Sequence, residues 1–430
     1  MSGNLIFDTR NMEGFVEGSE LDSLSAEVKR AHELLYGRRG PGKEFLGWMD
    51  LPEKYNEAFI SEVRDAASSL SGNSDVIVVI GIGGSYLGAK ALIDAVCPIE
   101  AREKIIFSGY NLSGEELEDL LAGLKEKDFS INVISKSGTT TESAIAFRAL
   151  ESLLIEKYGK DEAKKRIACT TDRNKGALRE ISERKGYRSF EIPDDVGGRF
   201  SVLTPVGLFP AAAAGVDIGE LLSGAMAQKE SMSVSDPEKN PASLYAAIRN
   251  ILWRKGKVIE VFSVFDGFLR NTAEWWKQLF GESEGKNGRG IFPAGCVFST
   301  DLHSMGQLIQ DGNRNIFETF LMVEKSASEL EVPFSEDDTD GLNYISGMRV
   351  DDVNRKAYEA TARAHFSGGV PNSTIRIEER SAFCMGQLFY FFETAVALSA
   401  YISGVNPFNQ PGVETYKKEM FRLLGKDGIN

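Results

Sequence analysis

Short apolar or β-rich runs recur along the first half of the chain, at Val76–Ile80, Ile105–Phe107, Ile131–Ser135, Ile167–Thr170 and Ser189–Ile192. Most are separated from the next by stretches whose apolar residues repeat with helical spacing. Strands alternating with helices predict crossover connections and a parallel, doubly wound sheet. A second series follows, with strands near Val258–Phe265, Ile291–Phe298, Ile316–Val323 and Thr374–Ile377 and helices such as Asn271–Phe280 and Val350–Phe366. The pattern predicts two α/β domains of similar plan, expected at residues 51–205 and 243–405. Between them, the small-residue stretch Pro205–Glu230 and the polar segment Ser231–Pro241 predict a helical connection over 206–242. Residues 1–50 read as helical packing with a loop at Gly37–Gly42, and 406–430 as a terminal segment ending in a helix.

Composition narrows the partners. The chain has 430 residues, 42% of them hydrophobic, enough for two ordinary cores. Lys and Arg total 49 against 63 Asp and Glu, and the net charge of −14 argues against nonspecific binding to nucleic acid or to an anionic membrane. An anionic ligand must then be held by local donors. Cys97, Cys169, Cys296 and Cys384 are far apart with no C-x-x-C pair, and the N-terminus MSGNLIFDTRN has neither a basic nor an apolar leader region. A reducing cytoplasm fits these features. No uninterrupted apolar run approaches the ~20 residues of a membrane span. His32, His303 and His365 show no metal-ligand spacing, so no metal is expected.

The stretch Val76–Gly88, VIVVIGIGGSYLG, breaks from a strand into a turn rich in glycine. Gly81, Gly83 and Gly84 let backbone N–H groups approach an anion, Ser85 adds a hydroxyl, and the helix beginning near Tyr86 aims its positive end at the same spot. A dinucleotide fingerprint does not fit. Tyr86 stands where a third glycine belongs, and the next strand runs into Ser108, Gly109, Tyr110 and Asn111 with no carboxylate for a ribose. The plain alternative is a tight turn without a ligand.

A second loop, SKSGTTTES from Ser135 to Ser143, leads into the helix Ala144–Leu154. Ser135, Ser137, Thr139 and Thr140 can donate to phosphate oxygens and Lys136 can supply charge, whereas Thr139-x-x-Glu142 also reads as a capping box. Ligands of a doubly wound sheet collect at the carboxyl ends of its strands, so Gly83–Ser85 and Ser135–Thr140 converge on one anion. A phosphorylated small molecule is implied.

Further along, Asp195–Gly207 sets Arg199 after Gly197 and Gly198, where a guanidinium can project from a tight turn instead of forming a surface ion pair. The helix ending at Phe280 opens into GESEGK, with Glu282 and Glu284 in what reads by itself as a solvated acidic loop. His303 falls in the first turn of a helix, whose dipole favours a neutral, proton-exchanging ring, although a structural histidine has the same look. Gly404–Lys417, GVNPFNQPGVETYK, brings Gln410 and Lys417 around the start of the last helix.

Together these segments resemble a known family. DVGGRFSVLTPVGL and GVNPFNQPGVETYK closely resemble the two signature segments of phosphoglucose isomerases, and GIGGS, SKSGTT, ESEGK and LHSMGQLIQ resemble that family's successive site segments in the same order. The resemblance implies two sugar-isomerase (SIS) domains, each an α/β/α sandwich, a cytoplasmic homodimer, and interconversion of glucose 6-phosphate and fructose 6-phosphate with neither metal nor cofactor. By motif, Glu282 matches the base that takes the C2 proton and returns it to C1 through a cis-enediol(ate), and Arg199 the group that stabilises that intermediate. His303, from the other subunit, and Lys417 match residues that assist ring opening. Ser85, Ser135, Lys136, Ser137 and Thr140 match the phosphate and substrate site. Gly83, Gly84, Thr139 and Gly198 fall among the substrate-binding positions, with Glu142 and Gln410 near the sugar.

Two departures stand out. Gly138 replaces a bulkier residue of some relatives, and Glu284 replaces an asparagine, a charge that would act on Glu282 if the two side chains approached. The rival readings are a noncatalytic SIS-type sensor of sugar phosphates and an isomerase acting on mannose phosphates or amino sugars. A sensor could dispense with Glu282, Arg199, His303 and Lys417, all present here, and the chain lacks the glutamine-hydrolysing domain of the amidotransferases.

Overall fold

A computed structural model describes residues 5–426; the first and last four residues, parts of the expected segments 1–50 and 406–430, lie outside the described residues. The described strands are β1 Ile6–Asp8, β2 Val76–Ile80, β3 Ile105–Ser108, β4 Phe129–Ile134, β5 Ile167–Thr171, β6 Arg188–Glu191, β7 Ile259–Val264, β8 Phe292–Val297, β9 Ile316–Lys325 and β10 Asn372–Glu379. They form two five-stranded sheets, in the orders β3-β2-β4-β5-β6 and β1-β10-β9-β7-β8. Every pairing is parallel except that of β1 with β10. The α/β fold with doubly wound parallel sheets is therefore as expected, and the strand order reverses between β2 and β4 in the first sheet and between β7 and β9 in the second.

The strand β2 shows why these segments become central strands. All five of its residues are buried, and alternate side chains enter different cores. Ile77 and Val79 join the helices Glu57–Ser71 and Leu87–Val96, while Val76, Val78 and Ile80 face the helix that begins at Thr141. A strand covered on both faces has no use for polar alternation, hence VIVVI. The first of these cores continues through Phe262 and Val264 of β7 and the helix Ala382–Ile402, so one apolar interior joins the two sheets.

Three readings need correction. Residues 1–50 are not helical throughout, because β1 adds an antiparallel edge to the second sheet; three residues are too few to show a period. The helix expected at Ala144–Leu154 runs over Thr141–Lys165, with non-helical backbone at Gly159. Ala382–Ile402, not singled out in the sequence, is long and apolar enough to cross a membrane, yet 94% of its most apolar window is buried within the protein. A helix apolar on every side belongs in a core.

Beneath the second sheet lies a buried charge cluster. Arg249, on the helix Pro241–Arg254, pairs with Glu260 of β7 and with Glu284 at 2.6 Å. Tyr245 and Thr319 donate to the other Glu260 oxygen at 2.5 and 2.7 Å. Arg249→Leu leaves two carboxylates buried without a cation, so denaturant unfolding should show a loss of about 3–5 kcal/mol. An unchanged unfolding midpoint would mean that the cluster contributes nothing to stability.

Candidate active site

The first sheet opens at the carboxyl ends of its central strands into a cleft of about 590 Å³. Ile82 and Ser85 line it from the turn after β2, Ile134, Ser135, Lys136, Ser137 and Thr140 from the loop after β4, and Asp172, Lys175 and Gly176 from the loop after β5. The two sequence-predicted loops thus meet at the strand-order reversal, where such sheets hold ligands. The β5 loop was missed, although TDRNKG follows a strand on the same edge.

In the loop after β4, local geometry leaves the two serine hydroxyls with donors to spare. Gly138 N–H donates to Ser135 Oγ at 3.0 Å, and Thr139 N–H and Oγ1 donate to Ser137 Oγ at 3.2 and 3.0 Å, so both serines accept from the loop itself. The alternative reading of a Thr139–Glu142 capping box does not hold. The helix N-cap is Thr140, whose hydroxyl makes no cap hydrogen bond, and Glu142 instead accepts from Tyr416 Oη at 3.5 Å. The helix start therefore presents free N–H groups beside the Thr140 hydroxyl. Gly138 has φ +71°, and a Cβ there would overlap the backbone of Leu178, which accounts for the glycine where some relatives are bulkier. Lys136 is less available than expected: its Nζ donates to the carbonyls of Pro193 and Asp194, both at 3.2 Å.

The turn that lines the cleft also touches a second cluster. A Cβ on Gly84 would collide with the Gly198 carbonyl, and one on Gly83 would crowd the Gln278 amide. Glycine at these positions lets the GIGGS turn lie directly against Arg199's turn and against the helix Arg270–Glu284. That helix corrects the reading of GESEGK as a loop, for it continues through Glu282 to Glu284. Residues two apart point about 200° apart around a helix. Glu284 accordingly turns to Arg249, not toward its neighbour, and Glu282 faces the site.

Glu282 is half-buried and well supplied with donors. Gln410 Nε2 donates to Oε2 at 2.6 Å, Gln278 Nε2 to Oε1 at 3.1 Å, and Arg199 Nη1 stands 3.4 Å from Oε2. Arg199 is 2% exposed, so it is no surface ion pair. Its Nε donates to Ser283 Oγ at 2.7 Å and its Nη2 to the Pro407 carbonyl. Burial pushes its pKa down to about 10, against the pull of Glu282, leaving it charged at neutral pH. Gln278, Ser283 and the Pro407 carbonyl were missed. Gln278 could have been found as the residue one turn before Glu282.

His303 stands apart. It ends a four-residue 3-10 turn, Thr300–His303, ahead of the helix Gly306–Asp311, and does not sit in that helix's first turn. Its ring is exposed and, among the described residues, has no hydrogen-bond or ionic partner within this chain. Lys417 is half-buried on the helix Val413–Leu423, next to Tyr416, which reaches Glu142.

Comparison with known proteins supplies context for this geometry. The sequence pattern described as phosphoglucose isomerase matches residues 57–426. The chain is 51% identical over 438 aligned positions to the glucose-6-phosphate isomerases of Bacillus thuringiensis (strain Al Hakam) and Bacillus anthracis, covering 100% of this chain and 97% of each relative. Among solved structures, a hypothetical protein from Thermus thermophilus superposes with a TM-score of 0.89 at 30% identity, covering 98% of this chain and 99% of that one. A glucose-6-phosphate isomerase from Chlamydia trachomatis shares the fold, with a TM-score of 0.77 at 21% identity, covering 95% and 86%.

Proposed function

The chain belongs to the phosphoglucose isomerase family, and from that premise we propose how its residues interconvert D-glucose 6-phosphate and D-fructose 6-phosphate. The observation that carries the residue assignment is the Glu282 carboxylate, held by Gln410, Gln278 and Arg199 beside the turn that lines the cleft.

The phosphate sits in the hydroxyl-lined cleft, taking donors from Ser85, Ser135, Ser137, Thr139 and Thr140 and from the helix start, with Lys136 at the rim. The sugar then extends past Gly83, Gly84 and Gly198 toward Glu282, with Glu142 and Gln410 beside it. His303 and Lys417 move a proton between the ring oxygen and the C1 hydroxyl, giving the open-chain aldose. Glu282 takes the C2 proton, the electron pair of that C–H bond forms a C1–C2 double bond, and charge passes to O1. Arg199 lies where it can offset that charge, an effect of about 3 kcal/mol for one well-placed donor. The O2–H proton passes to O1, and Glu282 returns its proton to C1 as the C1–C2 double bond collapses, leaving a hydroxyl on C1 and the ketone at C2. The buried polar support of Glu282 and Arg199 favours this reading over a noncatalytic sensor, which needs neither group.

The protein acts as a cytoplasmic homodimer in this reading, with His303 serving the partner's site. Its exposed ring, the exposed apolar Met305 and Leu308 next to it, and the exposed Phe334 and Tyr344 on the segment 326–349 support such a contact.

Glu282→Gln keeps the carboxylate's shape but cannot accept the C2 proton. Its kcat should collapse while sugar-phosphate affinity stays near the parent's. Solvent deuterium exchange at C2 continuing at the parental rate would remove Glu282 as the base. For the cleft, each hydroxyl bonded to phosphate contributes about 1.5–3 kcal/mol, so Ser137→Ala and Thr140→Ala should each raise KM for fructose 6-phosphate about tenfold or more with smaller effects on kcat. Unchanged KM values would place the phosphate elsewhere. Mixing Glu282→Gln with His303→Ala subunits tests the donation across the dimer. Each mixed dimer holds one site with both groups intact, so mixing two inactive preparations should restore activity, and no recovery would place both groups in one subunit's site.

A further inference from the structure

Lys286 closes the ESEGK segment, and the motif resemblance assigns it no role. The helix Arg270–Glu284 ends two residues earlier, and the chain turns back so that Lys286 is 9% exposed. Its Nζ lies 2.8 Å from the carbonyl of Ser283 and 2.5 Å from that of Asn406. The next carbonyl along, Pro407, accepts from Arg199, which also binds the Ser283 hydroxyl. Two cations thus tie two consecutive carbonyls of the segment 404–410 to one residue at the end of the base-bearing helix.

That segment ends in Gln410, whose amide holds Glu282 at 2.6 Å. We propose that Lys286 is a positioning residue for the isomerisation: its amine straps Asn406 to the end of the Glu282 helix and so fixes the Gln410 amide on the reacting carboxylate. The inference rests on the reading of Glu282 as the base. Burial and the neighbouring Arg199 hold Lys286 down to about 7, opposed by Glu282 and Glu284. An amine in either protonation state has N–H donors for both carbonyls, so the strap persists through that titration.

Without the amine, two carbonyls lose a donor and Asn406 loses its tie to the helix end, leaving Arg199 alone to hold the segment at Pro407, while the phosphate cleft of the first sheet is untouched. Lys286→Met keeps the aliphatic stem and removes the donors. Its kcat on fructose 6-phosphate should fall about tenfold or more with KM changed less than about threefold. Amide deuterium exchange across residues 404–412 should accelerate about tenfold. Combined with Gln410→Ala, the loss should be no larger than the greater single loss, because both act through one contact. If Lys286→Met fails to fold, Lys286→Gln, which keeps an amide donor on a shorter stem, carries the same measurements with smaller expected changes. Unchanged exchange, a loss carried by KM, or losses that add in the double variant would each overturn the strap. The exchange readout does not depend on which residue is the base, so activity surviving in Glu282→Gln would overturn that assignment separately.

Discussion

A guanidinium taken out of water must find a partner for each of its donors or become a large cost, and Arg199 meets that demand by gathering three distant pieces of chain. It stands 84 residues before Ser283 and 208 before Pro407, and it binds both, with Glu282 as its counterion. The turn after the first sheet, the end of a helix in the second α/β unit and the approach to the last helix are therefore joined at one buried charge. Removing either of the two partner segments would leave a buried donor unpaired. The candidate site is consequently also a polar tie between the two α/β units, beside the apolar interior they share.

The helix Arg270–Glu284 makes this possible by separating two carboxylates that lie close in sequence. Its period sends Glu282 to the open side and Glu284 inward to Arg249, which also binds Glu260. Each acid then has its own cation, and the inward pair clamps the end of the helix that carries the outward carboxylate. Close packing of glycine turns does the rest. Gly84 against Gly198 brings the turn after β2 against the turn that carries Arg199, a distance that a single methyl group would enlarge.

Much of the fold was legible because it depends on local patterning. VIVVI is a strand whatever surrounds it, since a run buried on both faces needs no polar alternation. The hydroxyl loop after β4 was legible for a related reason: a strand end followed by SKSGTT places donors at a helix start with no help from distant residues. The edge strand Ile6–Asp8 was not, because three residues have no period and its partner β10 lies near the other end of the chain.

The sequence by itself determined the element types, the two parallel sheets, the two loops that line one cleft and, through its motifs, the family and the candidate residues Glu282, Arg199, His303 and Lys417. Tertiary structure alone decided which of these meet. It put Glu282 on a helix instead of a loop and turned Glu284 away. It drew Lys136 toward the carbonyls of Pro193 and Asp194, left Thr140 free of its cap, and kept His303 outside the cluster of its own chain. It also brought in Ser283, Pro407 and Lys286, and gave Gln278, one turn before Glu282, its place on the carboxylate. The physical reason is that strand and helix formation follow from spacings of a few residues, whereas the partner of a buried charge is chosen by burial, and burial exists only once chain segments hundreds of residues apart have packed together.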